Sequence, residues 1–326
     1  MDQLLQGLRA AAEPTRLRIL ALCARGELTV SDLTAILGQS QPRVSRHLKV
    51  LVEAGLLQRL REGTWAFYRL SDTGTAAGLA RSLVGFIPDG NDIVARDLER
   101  LGSVKQLRAD VASSFFRRNA GEWDGIRKLY INDEEVERAL LSLLPRHDVH
   151  GLLDIGTGTG RILEIFGNDI DRGVGVDLSR EMLAVARVNL DKLGLRNCHV
   201  RYGDMNQLPL THESFDAVTF HLVLHYAEDP QAAVKEAARF LEPGGRLVIV
   251  DFAPHEEEKL RTEHAHRWLG FEDGEVKSWF EAAGLAPGRT VRLPGDPLTV
   301  CLWSAARGSA AARAAVPAAA AIEART

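Results

Sequence analysis

Cysteine is scarce: three residues in 326, Cys23, Cys198 and Cys301, each far from the others in the chain. That spacing excludes a disulfide framework and a Cys-x-x-Cys metal knuckle, and the three thiols read as small buried hydrophobes. Long apolar runs are missing as well. No stretch reaches the ~18 residues that a membrane span needs. The first residues, "MDQLLQGLRAAAEPTR", show no basic start followed by an apolar core, so no export signal is read and the expected compartment is the cytoplasm. What is present is a chain 45% hydrophobic and 26% charged, the balance of a soluble globular protein, and longer than one ordinary domain uses. Two domains are expected.

The net charge of -4 is unevenly spread. Residues 1 to 72 hold ten basic and seven acidic side chains, so this segment is positive and the rest more strongly negative. A split of sign between halves points to a polyanion as partner of the basic one.

Leu17, Leu20 and Ala21 repeat at helical spacing, and "TVSDLTAILG" follows, with Ser31 as the expected N-cap and Gly38 as the stop. In "QSQPRVSRHLKVLVEAGLL", Pro42 fits only a first helical turn, where its missing N–H costs nothing, so a second helix starts at about Ser40 or Gln41. Val44, Leu48 and Leu51 then face the core, and Gln41, Arg43, Ser45, Arg46 and Lys49 face outward. Residues 57–70 give two β-prone runs around Glu62-Gly63-Thr64, the signal of a hairpin wing, with Arg59, Arg61 and Arg69 placed to meet phosphate. A solvated basic face on a small helical domain is the alternative.

The stretch from Ser40 to Leu56 resembles the ArsR-type winged helix-turn-helix regulators, whose pattern "SQPxVSxHLxxLxxAGL" it meets. The resemblance covers residues 1 to 75. It implies a homodimer on a palindromic double-stranded DNA operator, with recognition helices in major grooves roughly 34 Å apart. The residues it assigns to DNA are Gln41, Arg43, Ser45, Arg46, Lys49 and Arg61. Metal sensors of this group carry a cysteine pair in a stretch like "ELCVCDL". Here Thr29 and Ser31 stand in those places, and hydroxyls are poor ligands for soft metals. The stretch from Asp72 to Leu101 contains no histidine, which removes the second common sensing site.

A second motif lies mid-chain, "LLDIGTGTGR", residues 152 to 161. Leu152 to Ile155 reads as a buried parallel strand and Arg161 to Phe166 as helix, so Gly156, Gly158 and Gly160 occupy the turn between them, where a ligand can approach bare backbone. Charge decides between ligands. Asp154 would repel a pyrophosphate and attract an ammonium and a sulfonium; a charge pair at ~4 Å is worth about 4 kcal/mol at an effective dielectric near ~20, before desolvation. Asp177, in "GVGVDLSREML", can accept both hydroxyls of a ribose, with an ordinary N-cap as its bland alternative. The strand from Cys198 to Tyr202 ends in Gly203-Asp204-Met205, where Asp204 can accept from an adenine amino group. Met182 can pack the other adenine face or belong to the core.

These motifs, in this order, resemble the class I S-adenosylmethionine-dependent methyltransferases. The resemblance implies an α/β fold: a seven-stranded, mostly parallel, Rossmann-like methyltransferase sheet following the N-terminal winged helix-turn-helix domain. Its last two strands, near Arg289 to Leu293 and Leu298 to Ser304, would form an antiparallel hairpin. It assigns Asp154, Gly156, Gly158, Asp177, Asp204, Met205 and His221 to the cofactor, joined from the reading of the turn and the next helix by Gly160 and Met182, and S-adenosylmethionine as that cofactor, with S-adenosylhomocysteine as product. Candidate proton acceptors are His221, His225 and Tyr226. His255, His264 and His266 follow later, and the last two would point to different faces of a helix, so no metal site is expected.

The domains expected are 1–75, the winged helix; 76–110, a helical linker and dimerisation segment; 111–305, the methyltransferase; and 306–326, a disordered alanine-rich tail. Phe116, Trp123 or Tyr130 could close over the cofactor or belong to a helical core. Three functions are weighed: a transcriptional regulator fused to an enzyme that methylates a small molecule, a repressor that only senses the cofactor or its product, and a DNA methyltransferase. The last is disfavoured, because Phe220-His221-Leu222-Val223-Leu224 lacks the Asn or Asp, Pro-Pro, aromatic run that grips a flipped base, and no Pro-Cys nucleophile is present. Arsenite methylation is disfavoured by the shortage of cysteines.

Overall fold

The computed structural model describes the chain apart from residues 63–64, 72–74, 89–90, 128–131, 212 and 309–326, and apart from the side chains of residues 62, 65, 75, 109 and 111–127. The chain divides into two compact units, Met1–Phe115 and Phe116–Thr326.

The first unit runs α1 (Asp2–Ala11), α2 (Pro14–Cys23), β1 (Leu28–Thr29), α3 (Val30–Leu37), α4 (Gln41–Glu53), β2 (Leu57–Glu62), β3 (Trp65–Leu70), α5 (Thr75–Gly85) and α6 (Asp92–Arg127), which continues beyond the unit. Ile19, Leu20, Leu33, Ile36, Leu48 and Leu51 are fully buried and pack together, so the apolar stripes of α2, α3 and α4 meet in one core. Helix α4 begins after Ser40 with Pro42 in its first turn, as its sequence requires. Helix α3 starts earlier than expected. Its N-cap is Thr29 rather than Ser31, because Thr29 Oγ1 accepts from Asp32 N (3.2 Å) while the Asp32 carboxylate accepts from Thr29 N (2.7 Å). Gly38, at φ 64°, ends it.

Strands β1, β3 and β2 form an antiparallel sheet in that order. Helix α6 is tied to the motif by basic residues from both sides. Arg18 grips Asp97 (Nε to Oδ2, 2.6 Å), Arg100 donates to the carbonyl of Ile36 near the end of α3 (2.9 Å), and Arg108 reaches the Glu27 carbonyl and the Asp32 carboxylate at its start. The helix passes residue 110 without a break.

The second unit follows as α7 (Asp133–Leu143), β4 (Gly151–Ile155), α8 (Arg161–Phe166), β5 (Arg172–Asp177), α9 (Arg180–Lys192), β6 (Cys198–Tyr202), β7 (Phe215–His221), α10 (Pro230–Arg239), β8 (Leu241–Phe252), α11 (Glu258–Glu263), α12 (Asp273–Ala282), β9 (Leu285–Leu293) and β10 (Val300–Arg307). The seven strands lie in the order β6-β5-β4-β7-β8-β10-β9. Strands β4 to β8 pair in parallel, and β10 slots antiparallel between β8 and β9. The hairpin is therefore longer than its sequence signal, and β10 runs past residue 305 to Arg307. The alanine-rich tail from 309 lies outside the described residues. Leu153, Val174, Val218 and Ile249 on one face of the sheet and Leu152, Val200, Ala217 and Val248 on the other are buried against the helices, which is why these strands read as near-continuous apolar runs. Strand order reverses at β4, and there the carboxyl ends of β4, β5 and β7 open a crevice.

Candidate functional site

That crevice is a cleft of about 850 Å³, in the upper part of the roughly 300–1,000 Å³ range of small-molecule sites. Its floor is the turn after β4. Gly156 N and Thr157 N both donate to the carbonyl of Val176 (2.7 and 3.0 Å), Gly158 N donates to Asp177 Oδ2 (2.8 Å) and Gly160 N to the carbonyl of Thr157 (2.8 Å). These amides are turned into the protein. A dinucleotide site needs them free for a pyrophosphate, and here the carboxylate of Asp177 takes the place of that anion.

Gly156 has φ 72°, and a Cβ there would lie 2.2–2.7 Å from the side chain of Val223, so the turn and the segment after β7 touch through a missing side chain. Gly160, at φ 85°, caps α8 and packs against Ala186 rather than lining the cleft. Its role is to turn the chain.

Asp154 is 1% exposed. Its Oδ1 accepts from Thr219 Oγ1 (2.7 Å), and its Oδ2 is buried with no hydrogen-bond partner within bonding distance among the described residues. Burial pushes this carboxyl up to about 7, against the lowering effect of the Thr219 and Thr157 hydroxyls. A buried carboxylate oxygen left open on a cleft is a receptor for a cation or a donor. Asp177, ending β5, accepts from Ser179 N at Oδ1 (2.8 Å) as well as from Gly158. Burial raises its pKa and these amides oppose the rise. Each of its oxygens keeps a lone pair for a further donor.

Met182 and Met205 both line the cleft, Met182 held by its amide on Ser179 Oγ (3.2 Å). Asp204 lines it too and is shaped into a turn by Asn206, whose backbone and side-chain nitrogens donate to Asp204 Oδ1 (2.9 and 3.1 Å). His221 lines the wall with Nε2 buried and without a partner among the described residues, and burial keeps the ring below its ordinary pKa, hence neutral at pH 7.

His225 and Tyr226 part company. Tyr226 is 39% exposed and lines the cleft. His225 is buried behind it, with Nδ1 2.7 Å from Asp251 Oδ1 and its ring stacked on His266 at 3.9 Å. The two residues share a 3₁₀ turn, Leu224–Tyr226, in which neighbours point about 120° apart, so only one of them can face the ligand. The expectation that both stand at the reacting centre is corrected for His225. His264 and His266 are not on a helix: α11 ends at Glu263, Ala265 takes φ 57°, and His266 turns inward to 2% exposure.

Thr219, Val223, Asp133, Glu137 and Arg267 also belong to this site. Thr219 had a signal, a hydroxyl within the apolar strand "FDAVTFH"; Val223 lies in the stretch after His221 but carries no chemistry to mark it, and Asp133, Glu137 and Arg267 come from elements distant in sequence and had none. Tyr130 and the side chains of Phe116 and Trp123 lie outside what the structure describes.

In the first unit, Val44, Leu48 and Leu51 are buried and Gln41, Arg43, Ser45, Arg46 and Lys49 exposed, as the helical period requires. Gln41, Ser45 and Lys49 line one side of a concavity whose other side includes Arg59 and Tyr68. Arg59 and Arg61 pair with Tyr68 and Ala66 across the hairpin and are exposed. Arg69 pairs with Gln58, one position out of step, and so falls on the other face. It is 2% exposed and donates from Nε and Nη2 to Gln58 Oε1 (3.0 and 2.6 Å), so it cannot meet phosphate.

Residues 13–59 match the family model for bacterial regulatory proteins of the arsR family, and residues 153–249 match that for a methyltransferase domain. The chain thus joins an ArsR-family helix-turn-helix segment to a methyltransferase domain. Among curated relatives, the uncharacterized methyltransferase YcgJ of Bacillus subtilis is 35% identical over 108 residues, 33% of this chain and 43% of that protein. The malonyl-[acyl-carrier protein] O-methyltransferase of Marinomonas sp. is 29% identical over 170 residues, 50% of this chain and 61% of that protein. The chain spans about half the length of the curated relatives it matches. The crystal structure of an S-adenosylmethionine-dependent methyltransferase from Clostridium acetobutylicum shares the fold, with a TM-score of 0.50 at 14% identity, over 60% of this chain and 99% of that one.

Proposed function

We propose that this protein is a dimeric, DNA-binding transcriptional regulator whose second unit binds S-adenosylmethionine and methylates a small molecule. The observation that carries the reading is the pair of carboxylates around the glycine turn. Asp177 consumes the amide that a pyrophosphate would need, and Asp154 Oδ2 stands open and buried beside it. A ligand with positive charge and ribose hydroxyls satisfies both; a dinucleotide could offer Asp177 a ribose, but its pyrophosphate would meet the Asp154 carboxylate and find the Gly158 amide taken.

S-adenosylmethionine, when bound, supplies a methyl group on a positively charged sulfur. Asp154 would hold the amino-acid end, Asp177 the ribose and Asp204 with Met205 and Met182 the adenine. His221 and Tyr226 face the cleft, and the neutral imidazole of His221 can take the proton that an acceptor hydroxyl or amine releases. Methyl transfer needs little beyond proximity and alignment, so the wall between His221 and Tyr226 has mainly to position the acceptor. Asp251 is completely buried; its carboxylate holds both the ring and the backbone amide of His225, and so fixes the turn that presents Tyr226.

In the first unit, the exposed residues of α4 would enter the major groove, Gln41, Arg43, Ser45, Arg46 and Lys49 among them, with Arg61 of the wing on the phosphates. Calorimetry with S-adenosylmethionine, S-adenosylhomocysteine and a nicotinamide dinucleotide tests the cleft: the first two are expected to bind and the third not. Uptake of the dinucleotide alone would overturn the reading.

A further inference from the structure

We propose that Arg267 anchors a carboxylate on the methyl acceptor. This rests on the reading of the cleft as the place where cofactor and acceptor meet. Among the described residues lining the cleft, Arg161 and Arg267 are the cations. Arg161 is committed: its Nε and Nη2 donate to the Glu137 carboxylate (2.7 and 2.9 Å) and its Nη1 to Glu164 (3.2 Å). The Arg267 guanidinium has no hydrogen-bond or ion-pair partner among the described residues.

Its backbone, by contrast, is held on both sides. Arg267 N and Trp268 N both donate to the carbonyl of His225 (2.8 and 3.2 Å), and Trp268 Nε1 donates to the carbonyl of Ala227 (2.9 Å). On the other side His266 is buried against His225, its ring kept neutral by that burial with a pKa near 3. Arg267 is exposed, so its guanidinium is a free, solvent-facing charge on a fixed base, in a residue that shares the cleft wall with Tyr226, Ala227 and Glu228.

Backbone strain marks the same corner. Among the described residues, the non-glycine residues with left-handed φ are Leu222 at 52° and Ala265 at 57°. Leu222 follows His221 in the cleft wall, and Ala265 makes the turn that sends His266 inward and Arg267 toward the cleft. Such conformations persist where the surroundings impose them, and they collect at ligand sites. A guanidinium fork matches the planar carboxylate in geometry and charge. Asp133 and Glu228 also line the cleft, and their charges weigh against a phosphate dianion in favour of a singly charged group.

The amino-acid carboxylate of the cofactor offers the same chemistry, and the experiment separates the two. The full chain, saturated with S-adenosylhomocysteine, is titrated with 3-hydroxybenzoate and with 3-hydroxybenzamide, probes of one shape that differ by a charge. The benzoate is expected to bind about tenfold tighter than the amide, the value of a partly exposed charge-assisted pair. In Arg267→Ala that preference should vanish, in Arg267→Lys part of it should remain, and S-adenosylhomocysteine affinity should stay within about twofold in both. Benzoate no tighter than amide in the native chain, or a preference that survives Arg267→Ala, overturns the proposal. So does a parallel loss of S-adenosylhomocysteine affinity, which would place the cofactor's own carboxylate on Arg267. Failure of the native chain to bind S-adenosylhomocysteine would instead overturn the reading of the cleft itself.

Discussion

Asp154 carries its negative charge reluctantly, and this has consequences at the scale of one residue. Its pKa rises from 3.8 to about 7 because the side chain is buried. The native state keeps a proton that the unfolded chain gives up, so this group's contribution makes the ligand-free protein less stable as pH rises from ~4 to ~7, with no further change above. A cationic ligand prefers the ionised form. Affinity for S-adenosylmethionine is therefore expected to be flat above about pH 7 and to fall up to ~10-fold per pH unit below it, with proton release on binding. Calorimetry in two buffers of different ionisation enthalpy measures that proton. Asp154→Asn should weaken binding by roughly 1.5–3 kcal/mol, the worth of a hydrogen bond to a charged group, and should abolish the pH slope. Gly156→Ala tests the contact with Val223: overpacking and a left-handed φ together should cost about 1–3 kcal/mol in denaturant unfolding, part of it recovered by adding Val223→Ala. A full recovery would mean that φ at this position is not strained by a side chain.

Elements respond differently according to which face is changed. On α4, Leu48 is fully buried and Arg46 exposed. Leu48→Ala should cost roughly 2–5 kcal/mol through the cavity it leaves, and so unfold or loosen the first unit. Arg46→Ala or Lys49→Ala should leave the unfolding transition in place, weaken operator binding and, if each contacts a phosphate, lower the salt slope of log affinity by about 1. Fluorescence anisotropy across a salt series makes the comparison, and undiminished binding would mean that another face of α4 enters the groove. The cap of α3 is a separate test of the element. Thr29→Ala should cost ~1 kcal/mol, since it breaks the reciprocal pair with Asp32.

At the scale of the molecule, the two activities proposed for one chain raise the question of coupling. If ligand in the cleft changes operator affinity, linkage requires operator to change ligand affinity by the same factor, typically about 1–3 kcal/mol. Operator titrations with saturating S-adenosylmethionine, with S-adenosylhomocysteine and with neither are expected to differ, and equal affinities in all three would remove the regulatory role proposed for the second unit. Leu4, Leu5 and Leu8 leave an apolar strip exposed on α1. If the proposed dimer uses this strip rather than the 76–110 segment expected from the sequence, Leu5→Glu with Leu8→Glu should yield a monomer in sedimentation together with a loss of operator binding, and an unchanged dimer would leave the contact to 76–110.

Much of this protein was legible in the chain because its strongest signals are local. Helical period put Val44, Leu48 and Leu51 inside and Arg46 outside, and a proline and a glycine bounded the helices. Strand, glycine turn and helix followed one another within residues 152–166, which placed Asp154 at the mouth of a crevice before any contact was known. Only the folded structure settled what depends on partners far away in sequence. Hairpin register turned Arg69 inward beside Gln58, and a 3₁₀ turn sent His225 to Asp251 while leaving Tyr226 in the cleft. A left-handed Ala265 delivered Arg267 to a wall that begins at His221, more than forty residues earlier. A periodic pattern reports which face of an element is buried, whereas side-chain partners are chosen by register and chain crossing, and these exist only once the elements have packed.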